Sequence, residues 1–216
     1  KHPLFEKELD LESLNKYLLH EYVPTPRSIF KNVHKLEPAT YLVYKNGEVK
    51  KTKFWEISYG GGKLNFGESL RLLEEKLEES VKARLVADVP VGVFLSGGLD
   101  SSAVAYYAQK NYKGKIKTFS IGFEEKSFDE SRYAQEVADF LGTEHNNFLI
   151  KARDTLEIIL NIEEFIDEPM ADASAVPTYL LAKHTRQFVT VALSGDGGDE
   201  LFAGYPTFQA FEVANV

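Results

Sequence analysis

A short apolar run, Val89–Leu95, breaks without a spacer into Ser96-Gly97-Gly98-Leu99-Asp100-Ser101-Ser102, and that junction constrains the fold more than any other stretch of the chain. The run is β-branched and too short for a helix, so Val91–Leu95 reads as a buried strand. The Ala-, Val- and Tyr-rich stretch Ser101–Lys110 reads as a helix. A Gly-Gly turn between them leaves successive backbone N–H groups unpaired at the positive end of the helix dipole, which makes an anion cradle. Ser96, Ser101 and Ser102 add hydroxyl donors suited to phosphate oxygens. The phosphate loop of kinases and GTPases needs a Lys, and none lies between Ser96 and Ser102. A plain helix-capping turn uses the same residue types, but turns rarely stack this many of them behind a buried strand.

The alternation continues along the chain. Strands Ile116–Ile121, His145–Ile150 and Phe188–Leu193 are interleaved with helices Asp129–Leu141, Asp154–Phe165 and Val176–Arg186. This spacing predicts an α/β fold, a doubly wound parallel sheet with helices on both faces. Ser127–Glu130 fits a capping box for the helix it precedes. Upstream, Phe66–Val86 is an amphipathic helix with Leu70, Leu73, Leu77, Val81 and Leu85 along one side. Leu9–Tyr22 carries a helical stripe at Leu11, Leu14, Leu18 and Tyr22, and Pro38–Phe54 reads as a hairpin turning at Asn46-Gly47. Trp55 and the hairpin aromatics read as core, since no basic patch accompanies them. Gly60-Gly61-Gly62 reads as a linker, dividing a small helix-and-hairpin segment, 1–62, from the main domain, 63–216.

A second Gly-rich loop, Ser194-Gly195-Asp196-Gly197-Gly198-Asp199-Glu200, follows the last apolar run. Ligands in doubly wound sheets sit at the carboxyl ends of strands. If the two loop-bearing strands are neighbours, roughly 5 Å apart, Asp100 and Asp199 converge on one crevice. Two hard carboxylates beside phosphate oxygens suit Mg²⁺. The simpler reading of Asp199 and Glu200, as charges complementing a helix dipole, loses ground once both loops are considered together.

The net charge of −8 disfavours non-specific nucleic-acid or anionic-membrane binding, and it leaves an anionic ligand in need of a metal or local cations. No apolar run approaches the roughly 20 residues of a membrane span, and no signal peptide is evident. The chain contains no cysteine, so these 216 residues hold no disulfide, thiolate metal site or cysteine nucleophile. Its five histidines show no metal-ligand spacing; His145 and His184 read as structural. A start at Lys1 reads as a segment of something longer.

SGGLDSS resembles the pyrophosphate loop of the N-type ATP pyrophosphatases, an adenine nucleotide α-hydrolase-like fold. Together with SGDGGDELFAGY, Thr118–Phe123, Phe128-Asp129-Glu130 and Glu168–Asp172, it resembles the synthetase domain of glutamine-dependent asparagine synthetases, from about Phe30 to Tyr205. That resemblance implies ATP and Mg²⁺. Leu95 and Ile121 would hold adenine, and Ser96, Gly97, Gly98, Ser101 and Ser102 the pyrophosphate. Ser194 and Gly195 would contact the nucleotide, Asp100 and Asp199 would ligate the metal, and Asp196 would act in acyl transfer. It also implies aspartate and glutamine-derived ammonia as substrates, a glutaminase domain absent from this chain, a further catalytic Lys beyond its end and a cytoplasmic location. Asp172–Val176 lacks the phosphate-contacting Arg of some family members. The leading expectation is therefore a fragment of an asparagine-forming ligase. The alternatives are the same adenylating domain with another acceptor, as in β-lactam synthetases or antibiotic and sugar amidotransferases, and a non-catalytic nucleotide-binding module.

Overall fold

The computed structural model describes residues 4–58, 60, 62, 64–125 and 129–214; Gly61 of the expected linker and Ser127 of the expected capping box lie outside them. The chain divides into two compact units, Lys1–Lys63 with Glu157–Ser174, and Leu64–Leu156 with Ala175–Val216. The return of Glu157–Ser174 to the first unit has no counterpart in the sequence reading.

In the first unit, Asp10 caps helix α1 (Leu11–His20), accepting the Glu12 N–H at 3.2 Å, the Ser13 hydroxyl at 2.7 Å and Arg27 Nη1 at 3.0 Å. These bonds hold the carboxyl below its ordinary range, the Ser13 hydroxyl contributing most. They also fix which side of α1 is covered. Ser13 is buried, whereas Leu11, Leu18 and Tyr22 of the expected apolar stripe are exposed among the described residues. Strands β1 (Thr40–Lys45) and β2 (Glu48–Lys53) form the expected hairpin, with positive φ at Asn46 and Gly47. Its aromatics are not core. Tyr41, Tyr44, Phe54 and Trp55 are exposed because both faces of this two-stranded ribbon are open among the described residues. Glu168 ties the returning segment in: its carboxylate pairs with Lys35 and accepts the Ile29 N–H at 3.3 Å, and the Ala171 N–H donates to Glu21 O at 2.9 Å.

The second unit begins with α2 (Phe66–Arg84), whose Asn65 cap and Glu68 form a capping box. Leu77, Val81 and Leu85 pack, but Leu70 and Leu73 are exposed. The neighbouring α3 has 13 residues against 19 in α2 and cannot cover its first turns. Then follow β3 (Val91–Phe94), α3 (Leu99–Asn111), β4 (Lys117–Phe123), α4 (Ser131–Leu141), β5 (Glu144–Ile150), α5 (Ala152–Leu160), α6 (Ala175–Thr185), β6 (Val191–Leu193), α7 (Gly198–Phe202) and α8 (Pro206–Ala214). At the start of α4, Asp129 Oδ1 accepts the Ser131 N–H at 3.1 Å. The last strand is shorter than expected. The N–H groups of Phe188 and Val189 donate to Thr185 O and close α6 rather than joining the sheet.

The sheet is all parallel in the order β5-β4-β3-β6. Alternation along β3 sends Val93 to one face, where it packs with Val81, Ala105, Ala108, Ile116, Ala134 and Ala138 from α2, α3, β4 and α4. On the other face Phe119 meets Phe148 and Phe188, and His184 of α6 stacks on Phe148 at 4.9 Å. Helices thus cover both faces. The chain moves outward from β3 to β5 and then returns to the far side of β3, so the strand order reverses between β3 and β6, where such sheets bind ligands.

Gly92 marks how tightly the second face is filled: a Cβ there would sit 2.5 Å from the Phe119 ring, 3.0 Å from Lys117 O and 3.2 Å from Val189. Gly92→Ala is expected to cost roughly 1–3 kcal/mol of stability, measured as a lower denaturation midpoint with an unchanged slope.

Candidate functional site

β3 ends by donating Leu95 N–H to Phe119 O at 2.8 Å, after which the chain leaves the sheet. The loop that follows is braced by its own hydroxyls. Ser101 Oγ accepts the Ser96 N–H at 3.2 Å and lies 2.9 Å from Ser96 Oγ, which accepts the Gly98 N–H at 3.2 Å. Ser101 is buried, so this serine shapes the loop from within. The Ser102 hydroxyl is buried with no hydrogen-bond partner. Gly97 holds φ +84°, and a Cβ on it would strike the Tyr133 carbonyl carbon at 2.6 Å and Ala134 N at 2.7 Å. The first loop is therefore pressed onto the start of α4. Gly98, by contrast, caps α3 at φ −70° with only Ser96 Oγ at 3.3 Å from its Cβ position. The strained position of the pair is Gly97.

β6 pairs with β3 in register, Val93 beside Leu193, so the second loop emerges next to the first. A Cβ on Gly195 would fall 2.7 Å from Ser101 N and 3.0 Å from the Asp100 carbonyl carbon. One on Gly198 would overlap the Asp100 carboxylate. Both loops touch only because these positions are glycine. Asp199 sits in the first turn of α7, with Oδ1 where a Gly204 side chain would be. Ser194 Oγ donates to Asp196 Oδ2 at 2.9 Å, and the Tyr205 hydroxyl donates to Glu200 Oε1 at 2.9 Å. That bond, burial and the neighbouring carboxylates hold the Tyr205 phenol above its ordinary range.

A cavity of about 410 Å³ opens at the carboxyl ends of β3, β4 and β6, a size that suits a small-molecule ligand. Of the expected residues it is lined by Leu95, Ser96, Gly98, Asp100, Ser101, Ile121, Ser194, Gly195 and Asp196; Gly97, Ser102 and Asp199 do not line it. The wall also includes Ser120, Glu130, Ser131 and, from α6, Thr178 and Leu181, which the sequence reading missed. Ser120 was legible as the neighbour of Ile121; the α6 residues depend on how that helix crosses the sheet. The lining carries the carboxylates Asp100, Glu130 and Asp196 and no Lys, Arg or His. An anion held here needs added positive charge. Among the described residues no group of three or more potential ligands forms a metal cage, so a metal here must take part of its shell from the bound ligand.

The family model described as asparagine synthase matches residues 72–215, and that described as glutamine amidotransferase domain matches residues 1–55. The segment read as lying ahead of the synthetase domain therefore resembles part of the amidotransferase domain expected outside the chain. The chain is 40% identical over 208 residues to a putative asparagine synthetase (glutamine-hydrolyzing) of Methanocaldococcus jannaschii, covering 94% of this chain and 40% of that protein. It is 34% identical over 203 residues to an asparagine synthetase (glutamine-hydrolyzing) of Bacillus subtilis, covering 94% and 32%. It thus spans about a third to two fifths of the length of these relatives. An NH3-dependent NAD synthetase structure from Campylobacter jejuni aligns with a TM-score of 0.45 at 17% identity, covering 62% of this chain and 60% of that one; no reading of the site rests on that likeness.

The packing of Gly97 against α4 predicts an asymmetry between adjacent glycines. Gly97→Ala should lower the unfolding midpoint by several degrees, whereas Gly98→Ala should leave it within about a degree, since an unstrained φ with room for a methyl costs little. Thermal denaturation of both variants checks this; equal shifts would contradict the geometry.

Proposed function

The chain belongs to the asparagine synthase family, and on that premise we propose that its second unit is the nucleotide site of an ATP-dependent, amide-forming ligase that makes asparagine from aspartate. The observation that carries the reading is the meeting of two Gly-rich loops around one cavity at the strand-order reversal.

In this reading the N–H groups at the start of α3 and the Ser96 hydroxyl receive the β- and γ-phosphates. The end of β3 at Leu95 and the end of β4 at Ile121 receive the adenine. Ser194 and Gly195 approach the α-phosphate from the second loop, while Gly97, Ser101 and Ser102 hold the first loop in shape. Asp100 carries no hydrogen bond or ion pair among the described residues, and its carboxylate lies beside Gly198, next to Asp199. This hard-oxygen pair, with phosphate oxygens completing the shell, fits Mg²⁺. Bound Mg²⁺ would supply the positive charge that the cavity wall lacks. The aspartate side-chain carboxylate attacks the α-phosphorus and pyrophosphate leaves. Ammonia then displaces AMP from the β-aspartyl adenylate. The protein's work is mainly positioning and the stabilisation of developing charge. Asp196 stands at the edge of the second loop, with one carboxylate oxygen taken by Ser194, and is assigned to the acyl-transfer step.

Glutamine would supply the ammonia through the amidotransferase domain, part of which residues 1–55 resemble. The chain has no cysteine, so the thiol that glutamine hydrolysis requires would come from outside these residues. No helix among the described residues is long and apolar enough to cross a membrane; the proposed location is the cytoplasm, where ATP and amino acids are supplied.

Calorimetry should find ATP binding that requires Mg²⁺. Asp100→Asn should weaken it roughly tenfold or more, the effect of losing a charge-assisted contact. Asp129→Asn, altering a carboxylate that braces the start of α4, should change it less than threefold. Metal-independent binding, or equal losses, would count against the assignment. In the protein that carries this chain, Asp196→Ala should keep ATP affinity while amide formation falls roughly a hundredfold or more, the pattern of a group acting in the chemical step. Loss of affinity in proportion to rate would make Asp196 a phosphate or metal contact.

A further inference from the structure

On the face of the sheet that α4 covers, β4 and β5 carry a ladder of polar side chains in place of the aliphatic ones of β3. Thr118 Oγ1 lies 2.9 Å from both Thr143 Oγ1 and His145 Nδ1. Ser120 Oγ lies 3.1 Å from His145 Nε2 and donates to Asn147 Oδ1 at 3.0 Å. Thr118 is 0% exposed and Ser120 4%, so these groups are satisfied by one another.

The ladder has one consistent direction. Ser120 has a single proton and spends it on Asn147 Oδ1, so its oxygen accepts from His145, and Nε2 carries the imidazole proton. Nδ1 is then bare and accepts from the Thr118 hydroxyl, whose oxygen accepts from Thr143. The neutral ring this requires is the form that burial favours, since desolvation pushes the His145 pKa down against a smaller opposing effect of Asp139. Two of the three hydrogen-bonding positions on Ser120 Oγ are used. The third is a lone pair, and Ser120 lines the nucleotide cavity near Ile121.

We propose that Ser120 is a specificity-determining residue that offers the cavity an acceptor and no proton, with His145 as the positioning residue that fixes this polarity, so that a 6-amino purine is selected over a 6-oxo purine. The inference rests on the reading of the cavity as a purine nucleotide site. The exocyclic amine of adenine donates to the free lone pair. A 6-oxo group would set oxygen against oxygen and leave both unpaired, a loss of roughly ten- to a hundredfold in affinity.

The test compares ATP and inosine triphosphate binding, with Mg²⁺, in the intact chain. The unaltered chain should prefer ATP by at least tenfold. Ser120→Ala should bring that ratio to within about threefold of unity, chiefly by losing ATP affinity. His145→Leu should also collapse the ratio, because the Ser120 hydroxyl is then free to turn its proton into the cavity. His145→Gln, which can place an amide N–H near the Nε2 position, should restore most of it. A merely structural role would weaken both nucleotides together and leave the ratio unchanged. An unchanged ratio in Ser120→Ala and His145→Leu would overturn the inference while leaving the nucleotide reading intact. Failure of the unaltered chain to bind either nucleotide would overturn both.

Discussion

The parallel pairing of β6 with β3 is the constraint on which the site depends. Without it, the loops after Leu95 and Leu193 would be two separate turns, each capping a helix. With it, the second loop leaves the sheet directly beside the amino end of α3, and Gly195 settles within 2.7 Å, measured from its missing Cβ, of the Ser101 nitrogen. Contact this close is available only to backbone. The same economy recurs at Gly198, whose empty side-chain volume holds the Asp100 carboxylate. The two loops form one surface because the side chains that would separate them are absent.

Electrostatics gives that surface its character. Three carboxylates and no cationic side chain face the cavity, in a chain of net charge −8. Backbone N–H groups and a helix dipole supply only partial charges. A polyphosphate held in such a cavity therefore depends on an accompanying divalent cation more heavily than it would in a loop with a lysine. The acidity of the wall is better understood as a means of recruiting metal together with ligand than as a barrier to anions.

Much of this was legible in the residues. Strand–loop–helix alternation identified the parallel sheet, and the two Gly-rich loops marked its carboxyl edge, because local hydrogen-bonding needs dictate both. What failed was the reading of apolar stripes as buried. Leu11, Leu18, Tyr22 and Trp55 are exposed, since periodicity reports a face but not what covers it. The return of Glu157–Ser174 to the first unit was likewise hidden, because the Glu168–Lys35 pair joins residues far apart in sequence. At the site, Gly97 and Gly98 were indistinguishable by type; only the position of α4 separates the strained residue from the relaxed one. Ser120 and His145 drew attention as ordinary strand residues, and their shared ladder became visible only once β4 and β5 were in register.

The central claim is that both loops close on one ligand. Amide hydrogen exchange with increasing Mg·ATP tests it most directly. The account predicts that amides of 96–102 and of 194–198 gain protection together, with the same ATP midpoint, and that both lose it when Mg²⁺ is removed. Protection of the first loop alone, or of the two with different midpoints, would contradict it.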